Sequence, residues 1–248
     1  MSLNRPIWKL RDWIDYESLD WSNFASNPNP EAIRLLSENP DKINWIVLSS
    51  NPNPEAIRLL SENPDKINWR FLSSNQEAIK LLEENQDKID WKFLSSNSNP
   101  EAIRLLSENP DKIDWKFLSS NPEAIKLLEE NPDKIDWFKL SNNSNAIKLL
   151  QENPDKIHWN SLCHNQNPEA IKLLSENKDK IDWHNLCVNS NAVQLLYENQ
   201  DKIDWSILSY NDNPEVIKLL YENQDKIDWY YLSSNPIIFE LNSETIIQ

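Results

Sequence analysis

Residues 114–135 read Asp-Trp-Lys-Phe-Leu-Ser-Ser-Asn-Pro-Glu-Ala-Ile-Lys-Leu-Leu-Glu-Glu-Asn-Pro-Asp-Lys-Ile. The same unit recurs on both sides of this stretch. From Trp21 onward the steps to Trp45, Trp69, Trp91, Trp115, Trp137, Trp159, Trp183, Trp205 and Trp229 are either 24 or 22 residues. Self-similarity at a fixed short period is the signature of a tandem-repeat architecture. The two-residue difference falls in one place. Long units read Ser-Asn-Pro-Asn-Pro-Glu at 50–55, short ones Ser-Asn-Pro-Glu at 120–123. An insertion confined to a Pro/Asn segment marks a loop.

Each unit carries two helical segments. In the one that spans 123–130, Ala124, Ile125, Leu127 and Leu128 fall at helical spacing on one broad apolar face. Asn121 suits the N-cap and Pro122 the first helical position. Asn131 ends the segment, and the left-handed C-cap conformation is the expectation for it, since asparagine is the usual substitute for glycine there. Residues 132–135 read as a turn, after which Asp136 caps a short helix over 137–141. Helices this short are marginal alone, so a unit holds its shape only by stacking on its neighbours. The expected fold is therefore all-α, an α-solenoid of short two-helix repeats of 22 or 24 residues. Residues 1–20 form an N-terminal cap with Trp8, Trp13 and Tyr16, 21–228 hold nine repeats, and 229–248 form a partial repeat and C-terminal cap.

Composition narrows the function. The 248 residues include no glycine, against about seven per cent in average usage. Glycine-built phosphate loops and glycine-dependent hairpins are thereby excluded. A net charge of -15 disfavours nucleic acid and anionic membranes as partners. No stretch approaches the roughly 18 apolar residues of a membrane span. Nor does the opening Met1–Trp13 resemble a signal peptide. With two cysteines there is no disulfide framework. The expectation is a soluble cytoplasmic protein, a monomer rather than an oligomer.

The units resemble a tandem repeat of uncharacterised proteins from large DNA viruses of algae and amoebae. The resemblance is carried by Asn-Pro-Asp-Lys-Ile-Asp-Trp at 131–137, Leu140, and Asn-Ala-Ile-Lys-Leu-Leu at 145–150. The opening Trp-Lys-Leu-Arg-Asp-Trp-Ile at 8–14 and the closing Asn-Pro-Ile-Ile-Phe-Glu at 235–240 are similar to flanking segments of those proteins. The resemblance implies a viral protein, in the host cytoplasm or the virion, and no activity. Near-identity of the units also fits a consensus-designed scaffold.

Chemical sites are few. Cys163, His164, His184 and Cys187 are the one set with zinc-ligand chemistry. Their spacing matches no finger pattern, and both cysteines stand in a slot held by Ser49, Ser95 and Ser119 elsewhere, so a structural role is preferred and no metal or cofactor is expected. Carboxylates recur as ladders, such as Glu38, Glu62, Glu84 and Glu108, whose members share one environment. A catalytic pair needs two different environments, so the chain reads as no enzyme. The tryptophan ladder reads as buried core rather than a base-stacking platform, which would need a basic groove beside it.

Variation between units is more informative, because repeat binders place partner-specific residues on a constant frame. Tyr197, Tyr210, Tyr221, Tyr230 and Tyr231 crowd the last 52 residues. They read as a protein-binding patch, or else as packing of Tyr210, Tyr230 and Tyr231 under the C-terminal cap. The function expected is a non-enzymatic scaffold for protein–protein interaction. The alternatives are an acidic DNA mimic that captures basic proteins and a self-assembling virion component.

Overall fold

The computed structural model of the chain describes residues 9–239. The chain forms two compact units, one ending at Glu130 and the other beginning at Asn131. Nineteen α-helices interleaved with 3-10 turns make up the regular structure among the described residues, and there is no strand among them.

In the first unit a long repeat consists of three elements in fixed order. A short helix starts at the repeat tryptophan, as in Trp45–Leu48 and Trp91–Leu94. A longer helix follows, Pro54–Ser61 and Pro100–Glu108 in the same two repeats. A 3-10 turn closes the unit, Pro64–Lys66 and Pro110–Lys112. The short helix starts where it does because the residue before tryptophan is a cap. The Oδ1 atoms of Asp90 and Asp114 accept from the backbone N–H of Phe93 at 3.2 Å and Phe117 at 3.1 Å. In the second unit Asp136 caps Trp137–Ser141 in the expected way, accepting from Lys139 N at 3.0 Å.

The helix ends differ from the expectation. Asn39, Asn63 and Asn109 take φ near -130° and ψ near 60°, and no described residue has positive φ. Each of these asparagines instead turns its side-chain amide back. Asn63 Nδ2 donates to Leu59 O at 2.9 Å, and Asn109 Nδ2 to Leu105 O at 2.9 Å. The amide satisfies a terminal carbonyl directly, so the main chain has no need of a left-handed residue or of glycine.

A second difference lies in the short repeats. Residues 122–130 do not form one helix; a 3-10 turn Pro122–Ala124 precedes the α-helix Ile125–Glu129. In long repeats a second asparagine does the capping. Asn53 Oδ1 accepts from Glu55 N at 2.8 Å, and the helix runs unbroken from Pro54. In the repeat of Trp115 Asn121 itself is the cap, its Oδ1 accepting from Glu123 N at 3.1 Å while its Nδ2 donates to the preceding repeat, and the first turn after it is 3-10.

The core is a double row of leucines. In the first unit Leu48, Leu72, Leu94 and Leu118 from the short helices and Leu36, Leu60, Leu82 and Leu106 from the longer ones are fully buried. The second unit repeats the rows with Leu140, Leu162, Leu186 and Leu208, and Leu150, Leu174, Leu196 and Leu220. Burying a leucine side chain contributes about 2 kcal/mol. The tryptophans are not part of this core, contrary to expectation. Trp45, Trp69, Trp91 and Trp115 are half-buried, and Trp13 and Trp229 are exposed. The lysine of the 3-10 turn that closes a repeat covers the ring that opens it in several repeats: Lys42 over Trp21 at 4.6 Å, Lys112 over Trp91 at 4.7 Å and, in the second unit, Lys226 over Trp205 at 4.7 Å. An amphipathic indole at the rim keeps its polar edge near water, with its face under an alkyl-ammonium chain.

At the N-terminal end Lys9 and Leu10 border a shallow hollow with Phe24, Ala32 and Leu35. Trp8 and residues 240–248 of the expected caps lie outside the described residues.

Candidate functional site

The frame on which any site is mounted is built by asparagine. Asn51, Asn75, Asn97 and Asn121 are buried in the first unit, and Asn143, Asn165, Asn189, Asn211 and Asn235 in the second. Asn75 Nδ2 donates to the carbonyls of Ser49 at 3.2 Å and Asn51 at 2.9 Å in the preceding repeat. In the second unit Asn189 does the same to Cys163 O at 2.8 Å and Asn165 O at 2.9 Å. The Oδ1 atoms face their own repeat, where Asn97 accepts from Asn99 N at 2.9 Å and Asn189 from Asn191 N at 3.0 Å. Serine adds a second link. Ser95 Oγ donates to Trp91 O at 2.8 Å and accepts from Asp114 N of the next repeat at 3.0 Å. Buried polar groups hold their place only when paired, and these pairings fix the register of one repeat on the next. The signal for this ladder is present in the sequence: the asparagine persists in every repeat while the residue after it changes.

On this frame the five tyrosines separate into two groups. Tyr230 and Tyr231 begin the helix Trp229–Leu232, held by Asp228 Oδ1, which accepts from their N–H groups at 3.0 and 3.4 Å. Tyr231 meets Tyr230 edge-on with ring centres 5.4 Å apart, and Tyr210 at 6.4 Å. Tyr210 is 62% exposed and Tyr230 83%, so this cluster presents its rings to solvent. With Ser233 and Ser234 the three tyrosines border an open hollow of about 560 Å³. Tyr197 and Tyr221 close the helices Val193–Tyr197 and Val216–Glu222 near their C-terminal ends and are also exposed. Tyr197 borders a different hollow, of about 500 Å³, with Gln194, Lys218 and Glu222.

The four residues with zinc-ligand chemistry do not converge. Cys163 and Cys187 are free, fully buried and occupy the serine slot of the frame. Burial pushes both thiols up to about 11, which leaves them protonated and unreactive near neutrality. His164 and His184 are exposed. His184 Nδ1 lies 2.8 Å from Asp204 Oδ2, and that contact holds the Asp204 carboxyl below the usual carboxylate range. Among the described residues no three His, Cys, Asp or Glu side chains are grouped so as to hold a metal ion.

Part of the carboxylate ladder is neutralised along the longer helices. Arg58 bridges Glu55 at 2.9 Å and Glu62 at 2.6 Å, and Arg104 bridges Glu101 and Glu108, both at 2.7 Å. Hydrogen bonding to Arg34 likewise holds the Glu31 carboxyl below its ordinary range. No described helix is long and apolar enough to cross a membrane.

Fold and frame together define an α-helical repeat protein of the solenoid class. Comparison with protein-family models, curated proteins and solved structures gives no match to this chain.

Proposed function

We propose that the protein is a non-enzymatic scaffold that binds other proteins through the variable positions of its repeats. The observation that carries this reading is the cluster of Tyr210, Tyr230 and Tyr231, three exposed rings locked against one another on a hydrogen-bonded frame. Tyrosine offers a large amphipathic contact area at low entropic cost, and clusters of this kind serve as interface anchors. The ladder supports the reading further, since a frame held by buried asparagines leaves the outward positions free to vary. Against an acidic mimic of DNA stand the arginine bridges, which break up a surface of single sign. The viral setting, in host cytoplasm or virion, rests on the resemblance of the repeats.

The test is capture of partners from algal or amoebal lysate, at physiological and raised salt, with wild type and a Tyr210→Ser/Tyr230→Ser/Tyr231→Ser variant. Partners that resist salt and are lost with the variant support the scaffold. Retention of every partner by the variant rules out the tyrosine cluster as the binding surface. Partners that are all basic and all released by salt overturn the reading in favour of charge mimicry.

A further inference from the structure

The first unit carries a second ordered surface, made by the two residues that follow the repeat tryptophan. Phe71, Phe93 and Phe117 stand in three successive repeats with ring centres 6.5 and 6.1 Å apart. The residue before each is a cation: Arg70, Lys92 and Lys116, all exposed. Arg70 Cζ lies 4.4 Å from the centre of the Phe93 ring, and Lys92 Nζ lies 5.0 Å from that of Phe117. Each of these two cations is thus laid over the phenyl ring of the following repeat. Their charges are not spent on carboxylates. Arg58 and Arg104 on the longer helices are bridged to glutamates, whereas Arg70, Lys92 and Lys116 form no ion pair among the described residues. The acids beside them in sequence, Asp90 and Asp114, are committed to capping. In the second unit the order reverses to Phe138-Lys139, and Lys139 lies over its own ring at 5.6 Å.

The geometry points to a binding site for an extended acidic peptide in the polyproline II conformation, with a carboxylate at every third residue. The charge of the peptide follows from three unneutralised cations in line on a chain whose net charge is -15. Its spacing follows from the general distance between packed helical layers, the inclined phenyl rings themselves standing closer, at 6.5 and 6.1 Å. Packed helical layers are about 8–10 Å apart, and one polyproline II turn of three residues rises about 9.3 Å. Carboxylates at positions i, i+3 and i+6 then meet Arg70, Lys92 and Lys116 in turn. The apolar residues between them rest on the phenyl strip, as such ligands rest on aromatic grooves. This deepens the scaffold reading, on which it rests, by giving one partner class a second address.

The probe is a fluorescein-labelled peptide of four Glu-Pro-Pro triplets, read by anisotropy against the full chain. Controls are the Gln-Pro-Pro analogue and an isomer with its glutamates clustered at one end. The spaced acidic peptide should bind, with both controls weaker by about tenfold or more. Arg70→Glu/Lys92→Glu/Lys116→Glu should abolish that binding. The charge-matched Lys148→Glu/Lys172→Glu/Lys218→Glu variant should retain it, with circular dichroism confirming that both remain helical. Equal binding of the clustered isomer, equal loss in both variants, or no binding at all would overturn the site. Tighter binding of a thymidine oligonucleotide of matched charge would overturn it in favour of a nucleic-acid surface. If lysate partners still bind through the tyrosines while the peptide does not, the site fails and the scaffold stands.

Discussion

Asn97 Nδ2 donates to the main-chain carbonyl of Asn75, one repeat earlier, at 3.1 Å. Asn75 in turn donates to the carbonyl of Asn51 at 2.9 Å, so each rung is donor to the repeat behind it and acceptor for the one ahead. A chain without glycine and with helices as short as four residues is thereby held together by side-chain amides as well as by leucines.

Replacement of Asn97 by alanine tests the ladder. The change strands the buried carbonyl of Ser73 and the part-buried N–H of Asn99, and leaves the Asn75 carbonyl with the Ala78 N–H as its remaining donor, at 3.2 Å. An unpaired buried polar group costs roughly 1–3 kcal/mol, so Asn97→Ala should lower the unfolding free energy by about 2–4 kcal/mol. Urea denaturation measures it. A loss below about 0.5 kcal/mol, the scale of an ordinary surface substitution, would mean that the leucine rows alone set the register.

Cys163 and Cys187 sit where serine accepts the amide of the next repeat, and a thiol is a poorer acceptor there. Cys163→Ser/Cys187→Ser should match or exceed wild-type stability, by up to about 1 kcal/mol. Both folded thiols are raised from 9.0 to about 11. They remain protonated in the fold while thiols of the unfolded chain ionise, so wild type loses their contribution as the pH climbs through that window. The gap between the serine variant and wild type should therefore widen from pH 9 to 11. A constant gap would show that burial does not perturb the thiols.

The division of the fold into repeats, the caps at Asp90, Asp114 and Asp136 and the leucine face are legible in the sequence because each is a local pattern. The recurrence of the ladder asparagine is visible too, but what it bonds to is not, because the partners of Asn121 lie 24 and 26 residues away. Locally it reads only as an N-cap, and that reading holds as well, since Glu123 N donates to its Oδ1 at 3.1 Å. The tryptophans mislead for a related reason. Periodicity reports that a residue is needed in each repeat but not how deep it sits, and the lysine over Trp91 comes from the far end of the same repeat, in the turn that closes it. Linear crowding of the tyrosines likewise hides that Tyr197 and Tyr210 border different hollows.

His158 stands at an N-cap that aspartate holds in the neighbouring repeats. Its Nδ1 accepts from Ser161 N at 3.3 Å, at the long end of the bonds made by the aspartates, 3.0 Å at Asp136 and 3.3 Å at Asp204. A carboxylate caps better, and good caps contribute about 0.5–2 kcal/mol. His158→Asp forfeits the ring contact with Phe138 at 4.7 Å, so the net gain should be about 0.5 kcal/mol. Thermal denaturation at neutral pH would show a small rise in Tm. A fall would mean that the ring contact outweighs the cap.

Deletion of Ser98 and Asn99 tests how the frame accommodates two repeat lengths. It leaves Asn97 followed by Pro100-Glu101, the arrangement at Asn121-Pro122-Glu123. The ladder is preserved. What is lost is the bond from Asn99 Nδ2 to Gln76 O at 2.7 Å and the stacking of Lys112 on Trp91, because lysines of shorter repeats lie beside their own aspartates, as Lys88 does beside Asp87 at 4.0 Å. An exposed hydrogen bond and an exposed cation–π contact together amount to about 1–2 kcal/mol. The deletion should therefore cost less than Asn97→Ala, although it removes two residues rather than one side chain, and should leave unfolding cooperative. A cost at or above that of Asn97→Ala would show that repeat length, rather than the buried amide, governs how one repeat seats on the next.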